Sequence, residues 1–240
     1  MTKSLDPLSK MEYAGRVIII GKSPSSANIV MYAITGRSPS SQARRLVIDE
    51  NIKSIFVKPT DEETLKTGQV DLLVYSSLIY KTGITVSNGK QTDDIAASLS
   101  PDMEPAEVLL RGLKKWEYEP DEPNFTPRIS GCITNKGAAF SIIKRAPNGK
   151  PLKYYFDVPL IEGKGKLIAT YTGNNEKPLP SFIGEPLDVE LPYTSANECV
   201  EAMYEALGPK GDKPDYRVSC AVAFVDINGK VTVKVKNRHG

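Results

Sequence analysis

Strand-length runs rich in β-branched residues follow one another through almost the whole chain, and short turn-forming segments separate them. The runs cover 15–20, 28–35, 44–48, 54–58, 71–80, 84–87, 128–134, 138–144, 153–158, 166–172, 217–225 and 231–236. Most connectors are too short for the helical crossover that parallel strands need, so neighbouring runs should pair antiparallel. Asn228-Gly229, between the last two runs, suits the positive φ of a tight hairpin turn. Helical spacing is confined to three places. Ala106, Leu109, Leu110, Leu113 and Trp116 mark a helix over 104–116, and Val200, Met203, Tyr204 and Leu207 mark one over 195–207. A shorter helix is predicted over 92–99. Ser195 with Glu198 fits a capping box, and Gly208-Pro209 ends that helix.

Strands in this number can bury their apolar faces only against one another, so the pattern predicts an α+β protein. Its core is two mainly antiparallel sheets with the helices outside them. A chain of 240 residues is long enough for one such domain. It is expected over 13–240, after a polar, flexible N-terminal tail over 1–12.

Composition removes several chemistries. The only histidine, His239, stands one residue from the C-terminus, which argues against a Ser-His-Asp triad or a His-ligated metal. Cys132, Cys199 and Cys220 form no CxxC pair and read as reduced, buried thiols. No metal site is expected. The 31 basic and 29 acidic residues leave a net charge of +2 without a basic run, so nucleic acid is not an expected partner. No apolar run reaches the ~18 residues of a membrane span, and the start is no signal peptide, so a cytoplasmic protein without membrane contact is expected.

Several segments could carry chemistry. In 35–45 (TGRSPSSQARR) a strand gives way to glycine, hydroxyls and arginines, the groups that hold a phosphate, although a solvated basic loop has the same composition. In 86–93 (VSNGKQTD) a turn leads into a helix start whose free amides could bind an anion. Segment 116–129 (WEYEPDEPNFTPRI) crowds acids and aromatics between prolines that stiffen it. There Glu119, Asn124, Thr126 and Arg128 are the candidates, while Glu117, Asp121 and Glu122 read as a solvated acidic face. Tyr75 and Tyr80 interrupt an apolar strand, where packing is the commoner role. Glu185 sits between glycine and proline in 181–186 (SFIGEP). No P-loop, GxGxxG or GxSxG appears.

These segments resemble one family, the archaeal-type inosine monophosphate (IMP) cyclohydrolases with their bacterial relatives. The resemblance rests on YAGRVIIIG (13–21), YAITGRSPSSQAR (32–44), VSNGKQTDDI (86–95), YEPDEPNFTPRISG (118–131) and SFIGEP. It implies a four-layer αββα sandwich, like that of N-terminal-nucleophile hydrolases but without their self-processed nucleophile. The implied reaction is closure of 5-formamidoimidazole-4-carboxamide ribonucleotide to IMP with loss of water, without cofactor or metal. By the same resemblance Arg37 would bind substrate and stabilise oxygen charge, and Tyr75 would move a proton at the formyl oxygen. Glu119 and Glu185 would be the two catalytic carboxylates, one acting as base and the other as acid, in either order. Ser38, Asn88, Thr126 and Arg128 would grip ribose and phosphate, with Asn124 beside them. A purine nucleotide is thus the expected small-molecule partner, and a homo-oligomer is implied. Lys81 is a weak match to a family lysine and is not counted with the catalytic residues.

Two other readings stay open on the residues. One is a self-processing N-terminal-nucleophile amidohydrolase using Thr2 or Cys132. The other is a purine-nucleotide binding module without catalysis.

Overall fold

The computed structural model describes residues 4–239. After a helical turn, α1 (Asp6–Ser9), the chain runs through β1 (Arg16–Lys22) and β2 (Asn28–Thr35), the short α2 (Pro39–Gln42), β3 (Arg44–Asp49) and β4 (Ser54–Pro59). Two short helices, α3 (Glu62–Lys66) and α4 (Val70–Leu73), precede β5 (Ser76–Tyr80) and β6 (Ile84–Ser87). Then come α5 (Gln91–Ser98), α6 (Pro105–Gly112), β7 (Arg128–Thr134), β8 (Gly137–Arg145), β9 (Pro151–Val158) and β10 (Lys164–Ala169). The last elements are β11 (Leu187–Glu190), α7 (Ala196–Ala206), β12 (Arg217–Val225) and β13 (Val231–Asn237).

The strands form two sheets, six-stranded in the order β11-β10-β1-β2-β12-β13 and seven-stranded in the order β3-β4-β5-β6-β7-β8-β9. Every pairing within them is antiparallel. β1 and β2 lie against β7 and β6 of the other sheet, and one apolar core fills the space between. Buried on both faces, β1, β2, β7 and β12 read as continuous apolar runs, not as alternating ones. Outside the first sheet α7 packs on β12, β13 and β2; outside the second, α5 and α6 pack on β5 to β9 through a smaller core around Leu109 and Cys132. The α+β sandwich of two antiparallel sheets is therefore present, with helices on both outer faces.

Three local expectations change. The run 71–80 is not one strand: Val70–Leu73 turns as a helix, and pairing begins at Ser76. Leu72 and Leu73 turn towards a cavity that a straight strand would have passed by. Residues 4–12, expected within a flexible tail, are docked. Leu5 and Leu8 are buried in the main core and α1 packs on β11 and α7, because two leucines three apart share one helical face. Residues 1–3, Thr2 included, and residue 240 lie outside the described residues. Glu198 accepts from the Thr194 amide, one residue before the cap, while the Ser195 hydroxyl accepts from Glu198 N as predicted.

Candidate active site

Antiparallel pairing brings the start of β1 beside the ends of β2 and β10, and the start of β12 beside the end of β2. In the second sheet it brings the end of β6 beside the start of β7. Side chains from these termini and their loops line a cavity of about 770 Å³ at that end of the sandwich. Its volume falls in the range of small-molecule sites, roughly 300–1,000 Å³.

Six of the expected residues, Arg37, Ser38, Asn88, Glu119, Asn124 and Thr126, line it. Glu119 is buried, and Asn88 Nδ2 donates to its Oε1 at 3.2 Å. Arg128 Nη1 lies 3.5 Å from the same oxygen. Desolvation pushes the Glu119 carboxyl up to about 7, against the pull of Arg128, Arg16 and Arg44 and with a push from Asp121. A carboxyl poised there can take and return a proton at neutral pH.

Asn88 has no spare polar atom for a ligand. Its amide also donates to Pro127 O at 2.9 Å, and its Oδ1 accepts from Ile129 N at 2.8 Å and Gln91 Nε2 at 3.0 Å. It locks the β6–α5 turn to β7 and aims at Glu119. Arg128, buried behind Glu119, donates to Glu117 O at 2.9 Å and Gln91 Oε1 at 3.0 Å and stacks over Trp116. It is absent from the cavity lining, and its guanidinium faces Glu119. Arg37 is half-buried, donates to Asn175 Oδ1 at 2.8 Å and lies 5.0 Å over the Tyr13 ring. Ser38 caps α2 and stays exposed at the rim.

Tyr75 stands just behind the cavity wall. Its hydroxyl meets Tyr32 OH at 2.7 Å and accepts from Arg16 Nε at 3.2 Å, and Arg16 lines the cavity. Glu185 is not brought to the site: it is exposed in the loop before β11, outside the cavity lining. An apolar strand run such as DLLVYSS fixes a tyrosine by packing, whereas SFIGEP lies in an irregular loop whose path no periodicity sets.

Other residues of the site were not singled out by sequence. Arg16 is the first residue of the apolar strand β1 and lines the cavity. Asp121, read as solvated, accepts from Thr126 N at 2.6 Å and from the Thr126 hydroxyl, and it lines the cavity. Tyr13 and Tyr171 stack at 5.8 Å on the same wall, with Tyr216 edge-on to Tyr13 at 5.4 Å. The lysine on the wall is Lys177, while Lys81 lies in the exposed β5–β6 turn. Arg44 is fully buried. Its Nε donates to Ser41 O at 2.9 Å, and among the described residues no acceptor reaches Nη1 or Nη2. Burial and the charge of Arg16 lower its pKa to about 10, so it remains a cation at neutral pH. Among the described residues neither Arg16, on the cavity lining, nor the buried Arg44 has a carboxylate in a salt bridge.

Among the described residues no cluster of His, Cys, Asp and Glu is suited to a metal ion. No described helix is long and apolar enough to cross a membrane. Cys132, the candidate internal nucleophile, is buried in mid-strand, and desolvation pushes its thiol up to about 12, away from the thiolate.

Residues 13–230 match the IMP cyclohydrolase-like protein family. An IMP cyclohydrolase of Methanopyrus kandleri is 32% identical over 181 residues, covering 75% of this chain and 84% of that relative. The IMP cyclohydrolase of Methanocaldococcus jannaschii is 27% identical over 230 residues, 93% of this chain and 100% of the relative.

Proposed function

Because the chain belongs to the IMP cyclohydrolase-like protein family, we propose that this cavity closes 5-formamidoimidazole-4-carboxamide ribonucleotide to IMP with loss of water. The observation that carries the reading is Glu119, a buried carboxyl held near neutrality in a cavity whose other walls present Arg16 and Arg37. Ring closure joins the carboxamide nitrogen to the formyl carbon of the same molecule. It needs a base for the nitrogen proton and positive charge for the formyl oxygen, but no nucleophile from the protein. Folding one substrate onto itself supplies part of the rate by proximity alone.

Glu119 is the base in this proposal, and it returns the carboxamide proton to the oxygen once the C–N bond has formed. Arg16, oriented by Tyr75 and backed by Arg44, faces the developing oxyanion. Fixed charge in a water-poor site is worth far more than in bulk solvent. Arg37, Lys177 and Ser38 hold the phosphate at the rim, Asn124 reaches the ribose, and the Tyr13–Tyr171 wall offers a face for the heterocycle. A cytoplasmic location and self-association belong to the same proposal. The unpaired edge of β9, with Leu152 and Tyr154 exposed, is a surface through which copies could meet.

The test is a spectrophotometric assay of the purified protein with the formamido ribonucleotide. Growth of the purine absorbance, lost in Glu119→Gln, is expected. Tight IMP binding without turnover would leave a nucleotide-binding module in its place.

A further inference from the structure

The reaction moves two protons onto the departing oxygen, one from the carboxamide nitrogen and one from the formamido nitrogen. Glu119 accounts for one. With Glu185 outside the cavity, the second needs another carrier. Three groups on one wall of the cavity are joined in series. Thr126 donates its hydroxyl proton to Asp121, since a carboxylate can only accept. Its oxygen lies 2.5 Å from Tyr171 OH, and a hydroxyl whose single proton is committed must accept there, so Tyr171 donates to Thr126. The phenol oxygen of Tyr171 is left with lone pairs and a cavity in front of it.

We infer that Tyr171, Thr126 and Asp121 form a proton relay serving the dehydration half of the cyclisation. The inference rests on the cyclohydrolase reading of this cavity. In the ring-closed hydroxy intermediate, the formamido N–H bond breaks and its proton binds the Tyr171 oxygen. The Tyr171 proton passes to Thr126, and the Thr126 proton passes to the Asp121 carboxylate. Asp121, itself on the cavity wall, then gives a proton to the hydroxyl. The C–O bond breaks, water leaves, and the nitrogen lone pair forms the new C=N bond. All three residues end as they began. Burial raises the Tyr171 phenol well above its usual range, so it works as a neutral conduit and is never a standing phenolate. Stacking on Tyr13 and the Thr126 amide bond to Asp121 at 2.6 Å hold the chain in line.

Tyr171→Phe keeps the stacked ring and loses only the hydroxyl, and Asp121→Asn keeps an acceptor for the Thr126 amide but cannot carry the proton. Each is expected to lower kcat at least tenfold with KM within threefold and Tm within a few degrees of wild type. Thr126→Val should do the same, and Thr126→Ser should restore at least half of kcat. A purely structural role for the cluster would lower Tm or raise KM and leave kcat intact, and that result overturns the relay. Wild-type kcat in Tyr171→Phe overturns it alone, while a wild-type protein that forms no IMP removes the cyclohydrolase reading and the relay with it. Should Thr126→Val fail to fold, Tyr171→Phe and Thr126→Ser decide.

Discussion

A carboxyl whose pKa is 4.5 when free and about 7 in the fold binds its proton more tightly in the native chain than in the unfolded one. The stability this contributes is fully present below pH 4.5 and is lost as pH rises through 7, by about 3 kcal/mol in all. Glu119→Gln, always neutral, escapes that loss. Its Tm relative to wild type should therefore move in its favour by about 6 °C or more between pH 5 and pH 8. A gap that stays constant would mean the carboxyl is not buried as described. As the base, Glu119 must be ionised, so wild-type kcat/KM should fall as pH drops below about 7. The arginines facing it, Arg128, Arg16 and Arg44, keep their charges across that window. Arg44 makes the opposite trade. Exchanging buried ion pairs or triads for apolar residues of similar volume is often neutral or stabilising, by about 1–4 kcal/mol, and among the described residues Arg44 has no salt-bridge partner to lose. Arg44→Met should thus raise Tm by several degrees while lowering kcat at least tenfold; a variant both less stable and fully active would refute the electrostatic role. Glu119 could be found by sequence because it lay in a stiff, chemically crowded connector. Arg16, Arg44 and Tyr171 could not, since each stands at or just beyond a strand end. Only the register of pairing decides which strand ends converge.

Elements were more legible than residues. The central strands and the three longer helices follow from periodicity that packing reinforces: α5, α6 and α7 each bury one face on a sheet. The turn at Asn228-Gly229 has the predicted left-handed glycine, φ 79°. What failed was short. β11 has four residues and an alternating burial pattern, and α4 is one turn, so neither gives a window long enough for its period to show. α7 lies outside the first sheet and contributes nothing to the cavity lining, which allows its start to be tested without touching the chemistry. Ser195→Ala removes the hydroxyl that accepts from Glu198 N and should cost about 1 kcal/mol. That corresponds to a Tm lower by roughly 2–4 °C in a chain of this size, with kcat unchanged. A fall in kcat would show that α7 reaches the site through the sheet.

At the scale of the molecule, the cavity is built by both sheets together. Arg16 and Tyr171 belong to the first sheet and its loops, and Asn88 and Glu119 to the second and its connectors. A nucleotide seated there touches both layers, so its binding energy should act on the whole sandwich and not on one half. IMP at a hundredfold its Kd adds about 2.7 kcal/mol to the stability of a one-site protein. For a chain of this size that is a Tm rise of roughly 5–10 °C, seen by calorimetry as one transition that moves as a unit. Two transitions, of which IMP shifts only one, would mean that the sheets unfold separately and that 13–240 is not a single domain. Glu185→Ala gives the matching control. Exposed and outside the lining, it should leave the IMP-induced shift and kcat within twofold of wild type. A larger effect would mean that the 181–186 loop folds over the cavity during turnover.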